Sequence, residues 1–139
     1  MSDALAAFAR AVGWGTLAGA APYLVLFMIP LAFTYWGDGS IADIAILFAY
    51  PLAVSGAMVL GSAVLFGLPL TAILSRSPKE DASIYGLAGF GLGAAVPAAV
   101  ILILGGEWGG EIVFFAILGA FAGLVTGLSW GRWRESLNR

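Results

Sequence analysis

Four apolar runs, each near or above the length of a membrane crossing, dominate this chain of 139 residues. They are Val12–Trp36, Ile41–Leu74, Ser83–Leu104 and Ile112–Trp130. A helix rising about 1.5 Å per residue needs roughly 20 apolar residues to cross a hydrocarbon core of about 30 Å. Composition excludes a soluble alternative. The chain is 61% hydrophobic and 10% charged, whereas a soluble domain carries about 25% charged residues. A small domain also leaves too much of its surface exposed to hide the excess. The expected fold is therefore all-α and integral to a membrane. Four transmembrane helices form an up-down bundle in a single domain over residues 1–139, with spans at about 12–36, 51–74, 83–104 and 112–130. The N-terminal run is too long for the apolar core of a cleaved signal and is read as the first span.

The second boundary needs an argument. As one straight helix, Ile41–Leu74 would exceed an ordinary span, and Pro51 suits the first turn of a helix. The preferred division is a short outer segment, Ile41–Tyr50, followed by a span from Pro51. One kinked, tilted helix is the alternative. Ser83 is the expected N-cap of the third span.

Basic residues set the expected orientation. Arg10 precedes the first span, Arg76 and Lys79 lie between the second and third, and Arg132, Arg134 and Arg139 follow the fourth. All six cations fall on one side of the threading. The other side carries Asp38, Asp43, Glu107 and Glu111. Short loops rich in Lys and Arg stay in the cytoplasm, so both termini are expected there, in a cell inner membrane. Trp14, Tyr85, Trp130 and Trp133 fall near the inner boundary, and Tyr35, Trp36 and Trp108 near the outer one, at the headgroup level these side chains favour.

The segment GGEWGGE, Gly105–Glu111, reads as a tight outer turn. Gly105 and Gly106 can end the third span in a left-handed cap. Trp108 anchors at the interface, and Glu111 faces the positive end of the next helix. A functional alternative is an outer cation or proton site built from Asp38, Asp43, Glu107 and Glu111.

Small residues carry the packing signal. Gly119, Gly123, Gly127 and Gly131 recur every four residues and so share one helix face, with Ala116 and Ala120 beside them. Such a stripe lets another backbone approach closely, either within the chain or from an oligomer or other partner. Gly13–Pro22 and Gly89–Pro97 resemble one another with one gap, which raises the possibility of a parallel internal repeat. Pro22, Pro30, Pro51, Pro69 and Pro97 lie inside apolar runs. Each removes a helical hydrogen bond and can free a carbonyl four residues earlier, as at Leu26, Leu65 and Gly93.

Function classes narrow by what the chain lacks. It has no Cys and no His, which removes disulfides, thiolate or imidazole metal sites and nucleophiles of those types. No charged residue sits near the middle of a run, and such residues mark most proton and ion paths. Nothing points to a cofactor or to nucleic acid. The hydroxyls of Thr16, Thr34, Ser55, Ser62, Thr71 and Thr126 are expected to bond their own or a neighbouring helix. The expected role is non-enzymatic: a small multi-pass protein that packs as a homo-oligomer or as an accessory or assembly subunit of a membrane complex, with the lipid bilayer and other membrane proteins as partners. The alternative is a small oligomeric transporter or channel for ions or small solutes.

Overall fold

The computed structural model describes residues 2–34, 41–76 and 81–137, and all regular structure there is helical. Four rods result: Asp3–Thr34, Ile41–Leu74, Ala82–Ile103 and Gly110–Leu137, each long and apolar enough to cross a membrane. The first rod joins α1 (Ser2–Tyr23) to α2 (Ile29–Thr34), and the second joins α3 (Ile41–Ser62) to α4 (Leu68–Leu74). The third and fourth rods are single helices, α5 (Ala82–Ile103) and α6 (Gly110–Leu137).

Several boundaries differ from the sequence-based expectation. Helix α1 begins at Ser2 rather than near Val12, so Arg10 is itself helical. Helix α6 continues past Trp130 to Leu137. Helix α3 runs unbroken through Pro51, where a new span was expected to start. In hydrocarbon a helix end would strand backbone N–H and C=O groups. Losing the one hydrogen bond that a proline forbids costs less than ending the helix there.

Two other prolines are handled by a different device. The α1–α2 and α3–α4 junctions are single π-helical turns, Leu24–Met28 and Ala63–Gly67. The Ile29 N–H bonds the Leu24 carbonyl, and the Leu68 N–H bonds the Ala63 carbonyl, each five residues back. The widened turn falls just ahead of Pro30 and Pro69. It moves the helical carbonyls away from the proline ring, which would otherwise strike the carbonyl four residues earlier. The local sequences match: Val25-Leu26-Phe27-Met28-Ile29-Pro30-Leu31 and Val64-Leu65-Phe66-Gly67-Leu68-Pro69-Leu70. The same short motif thus makes the same helical defect twice.

Helix ends are closed locally. Asp81, not Ser83, caps α5. Its carboxylate accepts from the Ser83 N–H at 3.1 Å and from the Ser83 hydroxyl at 2.7 Å. Ser83 therefore supplies donors to the cap residue. Those two hydrogen bonds hold the exposed Asp81 carboxyl below its ordinary value of 3.8. At the other end of α5, Gly105 takes φ +87°. The Gly105 N–H bonds the Leu102 carbonyl at 3.2 Å and the Gly106 N–H bonds the Ile101 carbonyl at 2.9 Å. This paired closure needs a residue without a side chain at Gly105. Glu111 lies in the first turn of α6, and Trp108 is 77% exposed in the turn between.

The core is made of small side chains. Ala7, Ala11, Ala20, Ala32, Ala82, Ala120 and Ala122 are buried, with Met28, Val59, Tyr85, Ile112 and Leu118. No buried polar or charged side chain occurs among the described residues. Large apolar side chains such as Phe33, Leu65, Leu87 and Ile103 point outward. That inversion suits a lipid solvent, in which a Leu gains nothing by leaving the surface and helices associate through close packing.

Candidate functional site: a glycine seam and the clefts beside it

Helix α6 is the central element, and its glycine stripe lies against α5. A β-carbon at Gly123 would overlap the Gly89 carbonyl oxygen, and one at Gly89 would overlap that of Gly123. Gly119 and Gly93 form the same reciprocal pair, and Gly127 faces the Tyr85 carbonyl. At Gly131 a β-carbon would fall 2.7 Å from Ala82 Cα. Pairing of 89 with 123 and of 93 with 119 means that the two helices run past each other in opposite directions.

In glycine a hydrogen occupies the β-carbon direction. Gly89, Gly93, Gly119, Gly123 and Gly127 therefore each aim a Cα–H at a carbonyl of the other helix. Such contacts are worth about 0.5–1 kcal/mol each. Gly93 has a further reason to accept one, because Pro97 has no N–H to give its carbonyl. Pro97 also closes the seam from the side, since its Cγ would be 2.7 Å from a β-carbon at Gly119.

A second face of α6, formed by Leu118, Ala122 and Thr126, receives α1. A β-carbon at Gly15 would overlap the Thr126 hydroxyl, and one at Gly19 would come within 3.0 Å of Ala122 Cβ. The two stretches noted as similar, Gly13–Pro22 and Gly89–Pro97, thus both dock glycines on α6. Polar groups in the bundle are satisfied at short range. The hydroxyls of Thr16, Thr71 and Thr126 bond carbonyls of their own helices at 2.8–2.9 Å, and that of Thr34 at 3.0 Å. Ser55 donates across to the Thr16 carbonyl at 3.0 Å. Near one end, Trp130 Nε1 donates to the Thr71 hydroxyl at 2.9 Å. The Trp130 ring also meets Phe8 edge-on and lies 4.8 Å from Trp133.

The second rod is seated less closely. Val59 is its one buried residue among those described. Between this rod and the others lie adjoining clefts. One of about 100 Å³ is lined by Met58, Val59, Tyr85, Pro97 and Trp130. The next, of about 280 Å³, shares Met58, Val59 and Pro97 with it and adds Tyr23, Tyr50 and Ser55. A third, of about 330 Å³, shares Tyr23, Tyr50 and Pro51 and carries Asp43. The hydroxyls and Asp43 aside, the walls are apolar.

Of the outer acids, Asp38 lies outside the described residues, as do Tyr35, Trp36, Lys79 and Arg139. Asp43 lines the third cleft. Glu107 and Glu111 are exposed in and beside the α5–α6 turn. No group of three or more potential metal ligands occurs among the described residues. Sequence reasoning missed the α5 half of the seam: Gly86, Gly89 and Gly93. Their spacing of three and four residues is itself a one-face pattern. Comparison of the chain with family models, with curated proteins and with solved structures gives no match.

Proposed function

We propose that this chain is a non-enzymatic packing subunit of a cell inner membrane, an up-down bundle of four spans with both termini in the cytoplasm. The gathering of cations supports the threading. Phe8 and Thr71 both meet Trp130, and Gly131 meets Ala82. The ends bearing Arg10, Arg76 and Arg132 therefore lie together, as the positive-inside rule requires.

The observation that carries the function is the unequal seating of the rods. The α5–α6 pair is locked backbone to backbone, and α1 is docked on it, while the second rod stands over apolar clefts with its outward face unburied. The tight unit forms a frame, and the second rod is the element another membrane helix completes. The occupant is a second copy of this chain, with a subunit of a larger complex as the alternative. Because the chain lacks Cys, single cysteines at Ile46 or Leu60 on the exposed face of α3 report the contact cleanly. Oxidative crosslinking in native membranes is expected to give a dimer from these positions and not from Trp108. A chain that stays monomeric by native mass measurement in lipid nanodiscs, with nothing co-purifying, sinks the proposal.

A second reading, a small oligomeric transporter or channel, draws on one feature. Asp43 shares its cleft with the side chains of Tyr23 and Tyr50, an arrangement suited to a cation or a polar solute. Liposome flux across a panel of ions and small solutes tests it, and flux indifferent to Asp43→Asn removes it.

A further inference from the structure

The geometry points to a binding cleft for one anionic glycerophospholipid between α1 and α6, on surfaces that the helix-packing proposal does not use. The cleft is about 690 Å³ and open to the surroundings. Helix α1 contributes Arg10 and Trp14, one turn apart on one face. Helix α6 contributes Leu128, Ser129, Arg132 and Trp133, with Val125 and Ser136 at its two limits.

Along α6 the lining changes in a fixed order: first Val125 and Leu128, then Ser129, then Arg132 with Trp133, and last Ser136. The eleven residue-to-residue rises from Val125 to Ser136 cover roughly 16 Å. That is the order in which a lipid presents acyl chain, ester, phosphate and headgroup. The apolar end is the one nearer the middle of the rod. Arg10 and Arg132 bring two guanidiniums into one cleft, and a planar guanidinium binds phosphate oxygens in pairs. Both side chains are exposed, and neither makes an ion pair with a described residue. No carboxylate lines the cleft. A zwitterionic headgroup would bring an ammonium beside two arginines with nothing to balance it, so the charge selects an anionic lipid. Trp14, 57% exposed, and Trp133 flank the arginines, as indoles do at the interface.

The test is native mass spectrometry of the delipidated full-length protein titrated with dioleoyl phosphatidylglycerol or chain-matched phosphatidylcholine. Each base near a membrane surface contributes about fivefold in affinity, so the pair gives roughly a 25-fold preference for the first phosphatidylglycerol. Arg10→Gln with Arg132→Gln is expected to abolish the preference, and Arg76→Gln, a cation outside the cleft, to keep it. Ser129→Phe fills the cleft without touching either charge and is expected to abolish it too. This variant decides the matter if the double variant fails to fold. Equal binding of the two lipids by the native chain overturns the proposal, as does a preference surviving Ser129→Phe. Displacement of the lipid by millimolar glycerol phosphate would also overturn it, by assigning the arginines to a soluble phosphate.

Discussion

Placing a methyl group at Gly123 tests the seam directly. The β-carbon of Gly123→Ala would overlap the Gly89 carbonyl oxygen, fall 2.7 Å from the Gly89 carbonyl carbon and lie 3.1 Å from Gly93 Cα. Backbone atoms cannot turn aside as a side-chain tip can, so α5 and α6 must separate by roughly 1 Å to reach ordinary carbon contact distance. A gap of that size forfeits about a quarter to a half of the dispersion attraction nearby. It also removes the reciprocal Cα–H···O pair at Gly89 and Gly123, at about 0.5–1 kcal/mol for each contact. Overpacking of this kind typically costs about 1–3 kcal/mol, and the better helix propensity of Ala returns up to about 1 kcal/mol. Gly91→Ala is the control, for a β-carbon there meets nothing within 4 Å. Both substitutions exchange a mid-helix Gly for Ala, so the propensity gain cancels between them. The difference in unfolding free energy is expected to be about 2–5 kcal/mol, with Gly123→Ala the less stable. Reversible unfolding in mixed micelles, followed by far-ultraviolet circular dichroism and tryptophan fluorescence, measures it. Stabilities within about 0.5 kcal/mol of each other would refute the backbone-contact account.

Asp81→Asn is expected to destabilise the chain at neutral pH but not in acid. The native carboxyl lies below its ordinary 3.8, so its contribution is fully present above that value and is lost as pH falls through the lowered one. Thermal melts of both proteins should differ at pH 7 and draw together as the pH is lowered through the acid range. Ser55→Ala removes one interhelical hydrogen bond and is expected to cost about 0.6 kcal/mol in the same micelle assay. A loss above about 2 kcal/mol would show that the hydroxyl does more than join α3 to α1. Pro69→Ala restores an N–H at residue 69 and lets the π turn relax to an α turn, which rotates the chain beyond it by about 100°. Thr71 would then leave Trp130, and indole N–H exchange at Trp130 is expected to quicken. Unchanged exchange would mean that the proline does not set the turn.

How far the sequence discloses this architecture depends on what each feature answers to. Spans are legible because they answer to the solvent: a long apolar run has few options in lipid whatever surrounds it. The stripe at Gly119, Gly123, Gly127 and Gly131 is legible because period four is a property of one helix. Its complement at Gly86, Gly89 and Gly93 becomes meaningful only when a second helix is laid in register, and one-dimensional inspection reads the same segment as part of a repeat. The cap of α5 follows the same logic. Asp81 and Ser83 both carry capping side chains, and their competition is decided by the extended backbone at Asp81, φ −133° and ψ 145°, which frees its carboxylate to reach the Ser83 N–H.

Prolines mark the deeper limit, because one residue type has two outcomes in this chain. Pro51 and Pro97 sit within regular α-helix, whereas Pro30 and Pro69 follow π turns. A lost hydrogen bond is common to all four and so cannot distinguish them. What separates the second pair is the preceding Val-Leu-Phe and the demand on the helix beyond. A π turn inserts one residue and turns the following face by about 100°. After Pro69 that rotation presents Thr71 to Trp130. After Pro97 no rotation is needed, because Gly93 already offers its carbonyl to Gly119. The proline together with the Val-Leu-Phe before it therefore sets the defect, and the neighbouring helix takes up the rotated face. Exchanging the contexts should exchange the outcomes: replacing Val64-Leu65-Phe66 by Leu-Gly-Ala, the residues at the same places ahead of Pro97, would remove the π turn and rotate α4 while leaving the Ser55–Thr16 contact of α3 in register. Disulfide trapping in the Cys-free chain reads this as retained crosslinking between cysteines on α3 and α1 before the turn, with loss of crosslinking between α4 and α6 beyond it. Equal crosslinking on both sides would show that the motif does not make the turn.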